Sequence, residues 1–341
     1  MILTSLPPRS RRAAPAARPG RPALAARLVA VLLLPLALAA CSNSRLVVGP
    51  LYDRLDERMM SGFEELADFD ASQRALFARS VDTFHLWHRR AELPAYAALL
   101  DEIAGSIATP GATTLADVTR WGDVVETRAS AARECLPVNF SAPLTASLTD
   151  AQIDDIERHV AEEREEDRER YLSRTDEERL DRRARNARKW ARRIGVELNA
   201  GQDAMLRAAL EGQTSLGGAY GVLVDRWNAT LFEILRDRRA PDREARLAAH
   251  LDARWALVRS NRPDLWERNR THWRGFAERL VASLTPGQRT AASAWLAKMA
   301  DTLRAVARDE PSSVAGEDPS IGCLVDTAAT DGAPGTSAAS G

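Results

Sequence analysis

Apolar residues in this 341-residue chain recur mostly at intervals of three and four positions, the spacing of amphipathic helices. No strand-like alternation of apolar and polar residues persists anywhere. The sequence therefore predicts an all-α, multi-helix bundle over residues 49–308. The predicted helices lie near 50–61, 71–91, 94–107, 114–135, 149–172, 175–194, 199–211, 217–238, 242–259, 263–283 and 285–308.

Four of these helix starts carry the same signal, an apolar residue, a capping residue and a glutamine three positions after the cap. They are Phe69–Gln73, Leu148–Gln152, Leu198–Gln202 and Leu284–Gln288. This spacing is typical of a capping box, in which the cap side chain and the third helical side chain each bond to the other residue's backbone amide. The glutamines are 79, 50 and 86 positions apart, which excludes a solenoid of fixed period. Within the second helix, Pro94 is expected to cause a break or a kink after Leu93.

The first forty residues have the parts of a secretory signal. A basic segment without acidic residues precedes an apolar run from Leu28 to Leu38, and small residues follow. This run of eleven residues is shorter than the ~20 that a membrane-spanning helix needs. The sequence Leu38-Ala39-Ala40-Cys41 looks like a bacterial lipobox, which predicts cleavage before Cys41 and acylation of its thiol by fatty acids such as palmitate. An ordinary signal peptide followed by a coincidental cysteine is the alternative.

The lipobox sets an expected domain order and location. Residues 1–40 are the signal peptide, 41–48 a lipidated tether, 49–308 the helical domain and 309–341 a tail whose composition predicts disorder. Ser42, rather than Asp, follows the cysteine, which favours the outer membrane, with the protein facing the periplasm of a Gram-negative bacterium. The inner membrane stays open as a destination.

The composition of the mature chain bounds its partners. Removal of residues 1–40 removes six arginines, which leaves 41 basic against 48 acidic residues and a net charge of −7. This acidic balance argues against a nucleic-acid partner. Partners are expected to be the membrane, through the N-terminal lipid, and an envelope protein or polymer; the sequence leaves the oligomeric state open. Cys135 and Cys323 could pair in an oxidising compartment, but their spacing does not settle it.

The charges of residues 154–193 are separated along the sequence. The first part, 154–169, is rich in Asp and Glu, and the second part, 179–193, is rich in Arg. Two helices joined near Ser173–Thr175 would form a hairpin with complementary charged flanks. A solvated, salt-bridged pair is the plain interpretation of such runs, and a charged arm that binds a partner is the alternative.

Candidate chemistry is sparse. His85 and His88 are three positions apart on one predicted helix, with Asp82 and Glu92 on roughly the same side, so Zn²⁺ or Cu²⁺ would need a further ligand from elsewhere. Zinc-protease, nucleophile-elbow, P-loop and dinucleotide motifs do not occur in the sequence. We therefore predict no catalytic residue, no metal site and no cofactor, and a protein that is not an enzyme.

One decapeptide carries a family resemblance. Residues 87–96, WHRRAELPAY, resemble the W-H-R-R-x-E-L-P-x-Y signature of an uncharacterised family of proteobacterial lipoproteins, over an expected match of about Ser44 to Ala307. The resemblance implies an all-helical, membrane-tethered periplasmic protein and supplies no catalytic residues. The signature positions are Trp87, His88, Arg89, Arg90, Glu92, Leu93, Pro94 and Tyr96.

Three classes of function follow. An envelope binding or scaffold lipoprotein that acts through its helical surface ranks first. The alternative is a periplasmic chaperone or stress-response holdase, because the L-T-x-x-Q boxes at Leu148–Gln152 and Leu284–Gln288 are similar to those of Spy-like chaperones. An enzyme with a dispersed site ranks third. A compact, buried core favours the first class, whereas a large exposed apolar concavity favours the second.

Overall fold

The computed structural model describes residues 45–135, 142–215 and 218–309, and it confirms the all-α, multi-helix class. The lipobox, Cys41, Cys323 and the predicted tail lie outside these residues. Within them, no strand forms, and no helix is long and apolar enough to cross a membrane. The helices are Arg45–Tyr52 (α1), Leu55–Glu64 (α2), Ala71–Trp87 (α3), Leu93–Ala108 (α4), Leu115–Glu134 (α5), Ala142–Ser147 (α6), Asp150–Leu172 (α7), Asp176–Arg193 (α8), Ala200–Gly212 (α9), Gly218–Arg236 (α10), Arg243–Asn261 (α11), Pro263–Ala282 (α12) and Pro286–Arg308 (α13).

Most helix ends lie within two residues of the prediction, and the differences are confined to the front half. The predicted helix 50–61 is two helices, α1 and α2, and the first begins at Arg45. Val48, placed in the tether by the sequence, is 1% exposed and belongs to the main core. The short helix α6 was not predicted. The described fold therefore begins four residues after Cys41 in sequence.

Pro94 does not break the helical backbone, so the predicted break is wrong, but the regular α-helix is interrupted just before it. The backbone stays helical from Ala71 to Ala108 because His88–Glu92 form a π-helical turn between α3 and α4. Its closing bond runs from the Leu93 N–H to the His88 carbonyl. A proline clashes with the carbonyl four residues before it, and a turn widened by one residue is a known way to absorb such a conflict.

Helices α4 and α13 form the centre of the fold. They are antiparallel, since Arg289 near the start of α13 donates to the Ile107 carbonyl at 3.2 Å and Arg89 donates to the Val306 carbonyl near its end at 2.8 Å. Small buried residues such as Ala97 and Ala300, both 0% exposed, let the two backbones approach closely. Larger side chains, among them Phe84, fill the main core around this pair, and each such side chain stabilises the fold by about 1.5–3 kcal/mol.

Two of the predicted capping boxes join each other at the starts of α3 and α7. The glutamine side chains form a reciprocal pair, in which Gln73 Nε2 donates to Gln152 Oε1 at 3.0 Å and Gln152 Nε2 donates to Gln73 Oε1 at 2.8 Å. Each oxygen also accepts the backbone N–H of its own cap, Asp70 or Thr149. The second N–H of Gln73 goes to the Ser147 carbonyl, so both polar atoms of this buried amide are used.

The other two boxes repeat this junction at the starts of α9 and α13. Gln202 and Gln288 exchange two hydrogen bonds of 2.9 Å, and Gln202 also donates to the Ser283 carbonyl at 3.0 Å. The segments Leu144–Gln152 and Leu280–Gln288 share the pattern L-x-A-S-L-T-x-x-Q. One junction lies at the start of α3, and the other lies beside the end of α4. The fold thus contains an internal repeat of one helix-start junction.

The charged helices pack differently from the predicted hairpin. Within the described part of the chain, no ion pair joins α7 to α8, so the expected pairing of their complementary flanks is wrong. Each helix instead forms ion pairs with a different helix, α7 with α10 and α8 with α9. These contacts are Asp154–Arg236, Arg164–Asp225, Arg188–Asp203 and Asp181–Arg207.

Cys135 ends α5 inside the main core, where it is 7% exposed. It is disulfide-bonded. The two other cysteines of the chain, Cys41 and Cys323, lie outside the described residues. The sequence left open whether Cys135 forms a disulfide, and the structure shows that it does.

Candidate functional site

The signature segment forms the most polar part of the core. The π-helical turn directs His88, Arg89 and Glu92 inward, and each is only 1% exposed. Burying so many polar groups is costly unless they find partners, so the contacts of each one indicate its role. Trp87 and Leu93 flank them in the apolar core, whereas Arg90 and Pro94 are exposed.

His88 lies among aromatic rings. Tyr52 Oη and His88 Nδ1 hydrogen-bond at 2.9 Å, and the ring centroids of Phe84 and Tyr96 are 5.6 and 5.7 Å from that of His88. Burial, assisted by His85 and Arg89, lowers the pKa of His88 to about 3. Burial also lowers the pKa of His85, whose ring is 4.5 Å from that of Tyr52, to about 4. Both imidazoles are therefore neutral at neutral pH.

Arg89 ties together the two ends of the described fold. Its guanidinium donates to the carbonyls of Val306 and Asp309 at the end of α13, and it pairs with Asp53 just after α1 at 2.5 Å. It also lies 4.8 Å from the ring centroid of Tyr52. A planar fork of donors suits several acceptors in fixed directions, which explains why arginine rather than lysine is used here.

Glu92 faces a different neighbour. Arg128 on α5 donates to its carboxylate at 3.4 Å, and Tyr96 lies near it on the same side. Burial raises the pKa of Glu92 above its ordinary value despite these two contacts. The pKa of Tyr96 is raised by burial and by the adjacent carboxylate. Glu92 Oε2 and His88 Nε2 are buried without a hydrogen-bond partner.

The candidate metal ligands His85, His88, Glu92 and Asp82 lie in different surroundings. His85 and His88 face Tyr52 of α1, Glu92 faces Arg128 of α5, and Asp82 is exposed, so the four side chains do not converge. Among the described residues, no group of three or more His, Cys, Asp or Glu side chains is placed to hold a metal ion. The expectation that these side chains share one side of the helix is wrong, because the extra residue of the π-turn rotates Glu92 away.

Sequence reasoning missed Tyr52, Asp53 and Arg128. Nothing in the sequence around them indicates a role, because each meets the signature from a separate helix or turn, 36 positions away along the chain. The signature itself is the only sequence signal that marks this place. Its polar side chains hold helices together and face no described cavity, which is the arrangement of a structural centre.

Two grooves on the described surface are shallow and open, and charged side chains line part of each. One of about 480 Å³ follows an outer face of α5 and is lined in part by Arg120, Asp123 and Arg128. A second, of about 460 Å³, extends from Asp123 and Glu126 to Arg259 of α11, where charged side chains from three helices pair. Neither is the large apolar concavity expected for a holdase. The L-T-x-x-Q boxes that suggested one act as helix caps whose glutamines pair.

The two neutral histidines should lower the stability of the fold at acid pH. Well above pH 6.5, the ordinary pKa of histidine, both are uncharged in the folded and in the unfolded chain. As pH falls from 6.5 towards 3, the unfolded chain binds protons that the folded chain excludes, so stability is lost; the raised pKa of Glu92 offsets part of this. We expect His85→Gln to move the acid-unfolding midpoint, measured by circular dichroism, to lower pH. His159→Gln, at a half-exposed site on α7, is the control; equal shifts would contradict the assignment.

Comparison with known proteins gives one match. A model for a family of unknown function, DUF6279, matches residues 65–260, more than half of the chain. The match includes the signature, the first glutamine junction and the charged helices. Neither the curated proteins nor the solved structures give a match. The chain therefore belongs to the DUF6279 family, whose function is unknown.

Proposed function

We propose that this protein is a lipid-anchored periplasmic lipoprotein that binds or scaffolds another envelope component through its helical surface. The observation that carries the proposal is the sequence Leu38-Ala39-Ala40-Cys41 behind an eleven-residue apolar run. Stable anchoring takes two acyl chains or one chain with a second signal, and an acylated lipobox cysteine provides the former. The outer membrane is the proposed destination.

Two features of the fold support this location. The buried disulfide at Cys135 is typical of an oxidising compartment such as the periplasm. The first helix starts at Arg45, so its first residue lies at most about 14 Å of extended chain from Cys41. An anchor at Cys41 would therefore hold the whole helical body close to the bilayer.

Binding rather than catalysis is proposed because of how the polar side chains are used. Those of the signature bond to helix ends and to aromatic neighbours, and the described grooves are open and shallow. The exposed surface is densely charged, which suits contact with a macromolecule. No described observation favours the holdase alternative over this one.

The anchor is tested by Cys41→Ser in the full chain. We expect loss of incorporated fatty-acid label, accumulation of uncleaved precursor and, if cleavage still occurs, release from the membrane fraction. Ser44→Ala is the control, since it lies in the same segment and keeps every cysteine, and its labelling and fractionation should equal those of the parent. Unchanged labelling and membrane association in Cys41→Ser would contradict the proposal.

A further inference from the structure

Helix α8 separates its cations into two faces. Ala184 at its centre is 0% exposed and packs into a small core with Leu206 and Phe276. On the flanks of this buried face, Arg188 pairs with Asp203 at 2.5 Å and Asp181 pairs with Arg207 at 2.9 Å. The charges beside the core are thus neutralised within the fold.

The opposite face carries four cations that form no ion pair with the described residues. They follow one another at intervals of three, four and three positions, which places them in one line over about 15 Å. All four are exposed. The acidic residues of α8 are three in its first turn, 176–178, and Asp181, which pairs with Arg207 of α9. We call this line the basic stripe: Arg182, Arg185, Lys189 and Arg192.

An exposed tryptophan follows Lys189 on the outer side of α8. Trp190 is 41% exposed, and the guanidinium of Arg193 lies 5.0 Å from its ring centroid. Trp190 has the largest exposed fraction of the described aromatic side chains, ahead of Tyr220, Tyr171 and Trp266. Tryptophan prefers the interface between lipid headgroups and acyl chains, and Lys and Arg on the polar side of a helix bind anionic lipids.

We propose that the basic stripe and Trp190 form a docking surface for an anionic phospholipid membrane. Four unpaired cations match a layer of phosphate groups, and Trp190 can enter the headgroup region beside them. A soluble polyanion would use the cations but would gain little from the indole. The inference deepens the proposed function, because a lipid at Cys41 would hold this surface near a bilayer and raise its effective concentration there.

The test uses residues 41–341 with Cys41→Ser, which removes the lipid, and vesicles of phosphatidylcholine alone or mixed equally with phosphatidylglycerol. We expect co-sedimentation with the anionic vesicles only, and its loss at high ionic strength. Each cation near an anionic surface strengthens binding by about fivefold. The triple change Arg185→Glu, Lys189→Glu and Arg192→Glu should therefore lower the partition coefficient at least about 100-fold.

The matched control reverses three exposed arginines elsewhere, Arg58→Glu, Arg226→Glu and Arg239→Glu, which changes net charge equally. It should keep most of the binding. Quenching of tryptophan fluorescence by brominated phosphatidylglycerol should fall in Trp190→Phe. Equal losses in both triple variants, or binding to polyphosphate but not to vesicles, would overturn the proposal. If circular dichroism shows that the stripe variant does not fold, the variant with Gln at the same three positions is tested instead, and it too should lose binding to the anionic vesicles. Because the chain tested lacks Cys41, this result is independent of the acylation experiment.

Discussion

Replacing Arg89 by alanine is expected to lower the free energy of unfolding by about 3–5 kcal/mol. The guanidinium is 2% exposed and serves three acceptors on two separate elements, the turn after α1 and the end of α13. Truncation leaves the Val306 carbonyl without this donor and opens a cavity beside Tyr52. Arg89→Lys should lose an intermediate amount, since an ammonium keeps the charge but cannot reproduce the planar fork.

Chemical denaturation measures the overall effect, and amide exchange locates it. We expect faster exchange in α1 and near the end of α13, while α8 and α9 keep the protection of the parent. Arg226→Ala, at an exposed site on α10, is the control and should change stability by less than about 0.5 kcal/mol. A loss of the same small size in Arg89→Ala would show that Arg89 does not hold the two ends together.

Much of this fold is set by interactions between residues close together in the sequence, which is why the sequence predicts it well. Each capping box lies within five consecutive residues, so the starts of α3, α7, α9 and α13 are evident without tertiary information. The recurrence of apolar residues at intervals of three and four then gives the helix lengths. The fold class and most helix ends follow from these two local signals.

The candidate site combines residues that are far apart in the sequence, so the sequence predicts less of it. The signature marks the right place, but the π-turn that directs His88, Arg89 and Glu92 inward depends on the core that packs against these side chains. Tyr52 and Arg128 reach the turn from α1 and α5, and contacts across such separations follow only from tertiary packing. The charge separation in 154–193 suggested a pairing between neighbours in sequence, whereas packing gave each helix another partner.

Packing also gives the arginine-rich composition a structural role. Arg89, Arg243 and Arg289 each donate to two or more backbone carbonyls, many of them near helix ends. The last carbonyls of a helix have no partner within it, so a forked donor satisfies several at once. Lysine, which occurs only at positions 189 and 298, lacks this geometry.

The capping boxes differ in one informative residue. The four boxes that pair carry glutamine at the third helical position, whereas the isolated box at Thr175 carries Glu178. A carboxylate can accept the cap N–H as well as an amide can, so Glu serves where no partner is present. Only an amide can also donate, and each paired glutamine donates to its partner and to a backbone carbonyl.

Gln73→Glu is therefore expected to cost about 2–4 kcal/mol at neutral pH. The change places acceptor against acceptor at the Gln152 oxygen and the Ser147 carbonyl, 3.0 and 3.1 Å from the present amide nitrogen, in a site that is 1% exposed. Gln202→Glu should cost a similar amount, because the second junction has the same bonds. Part of the loss should return at acid pH, where the introduced carboxyl binds a proton and donates again.

Glu178→Gln provides the matched control, since it makes the same exchange in reverse in a box without a partner. Its box is exposed, so the change should alter stability by less than about 0.5 kcal/mol. Urea denaturation of the variants, at neutral and at acid pH, separates capping from pairing. If Gln73→Glu and Glu178→Gln have equally small effects, the glutamines act only as caps. A large loss confined to the paired boxes would instead show that the repeated junction fixes how the helices at both ends of α3–α4 meet.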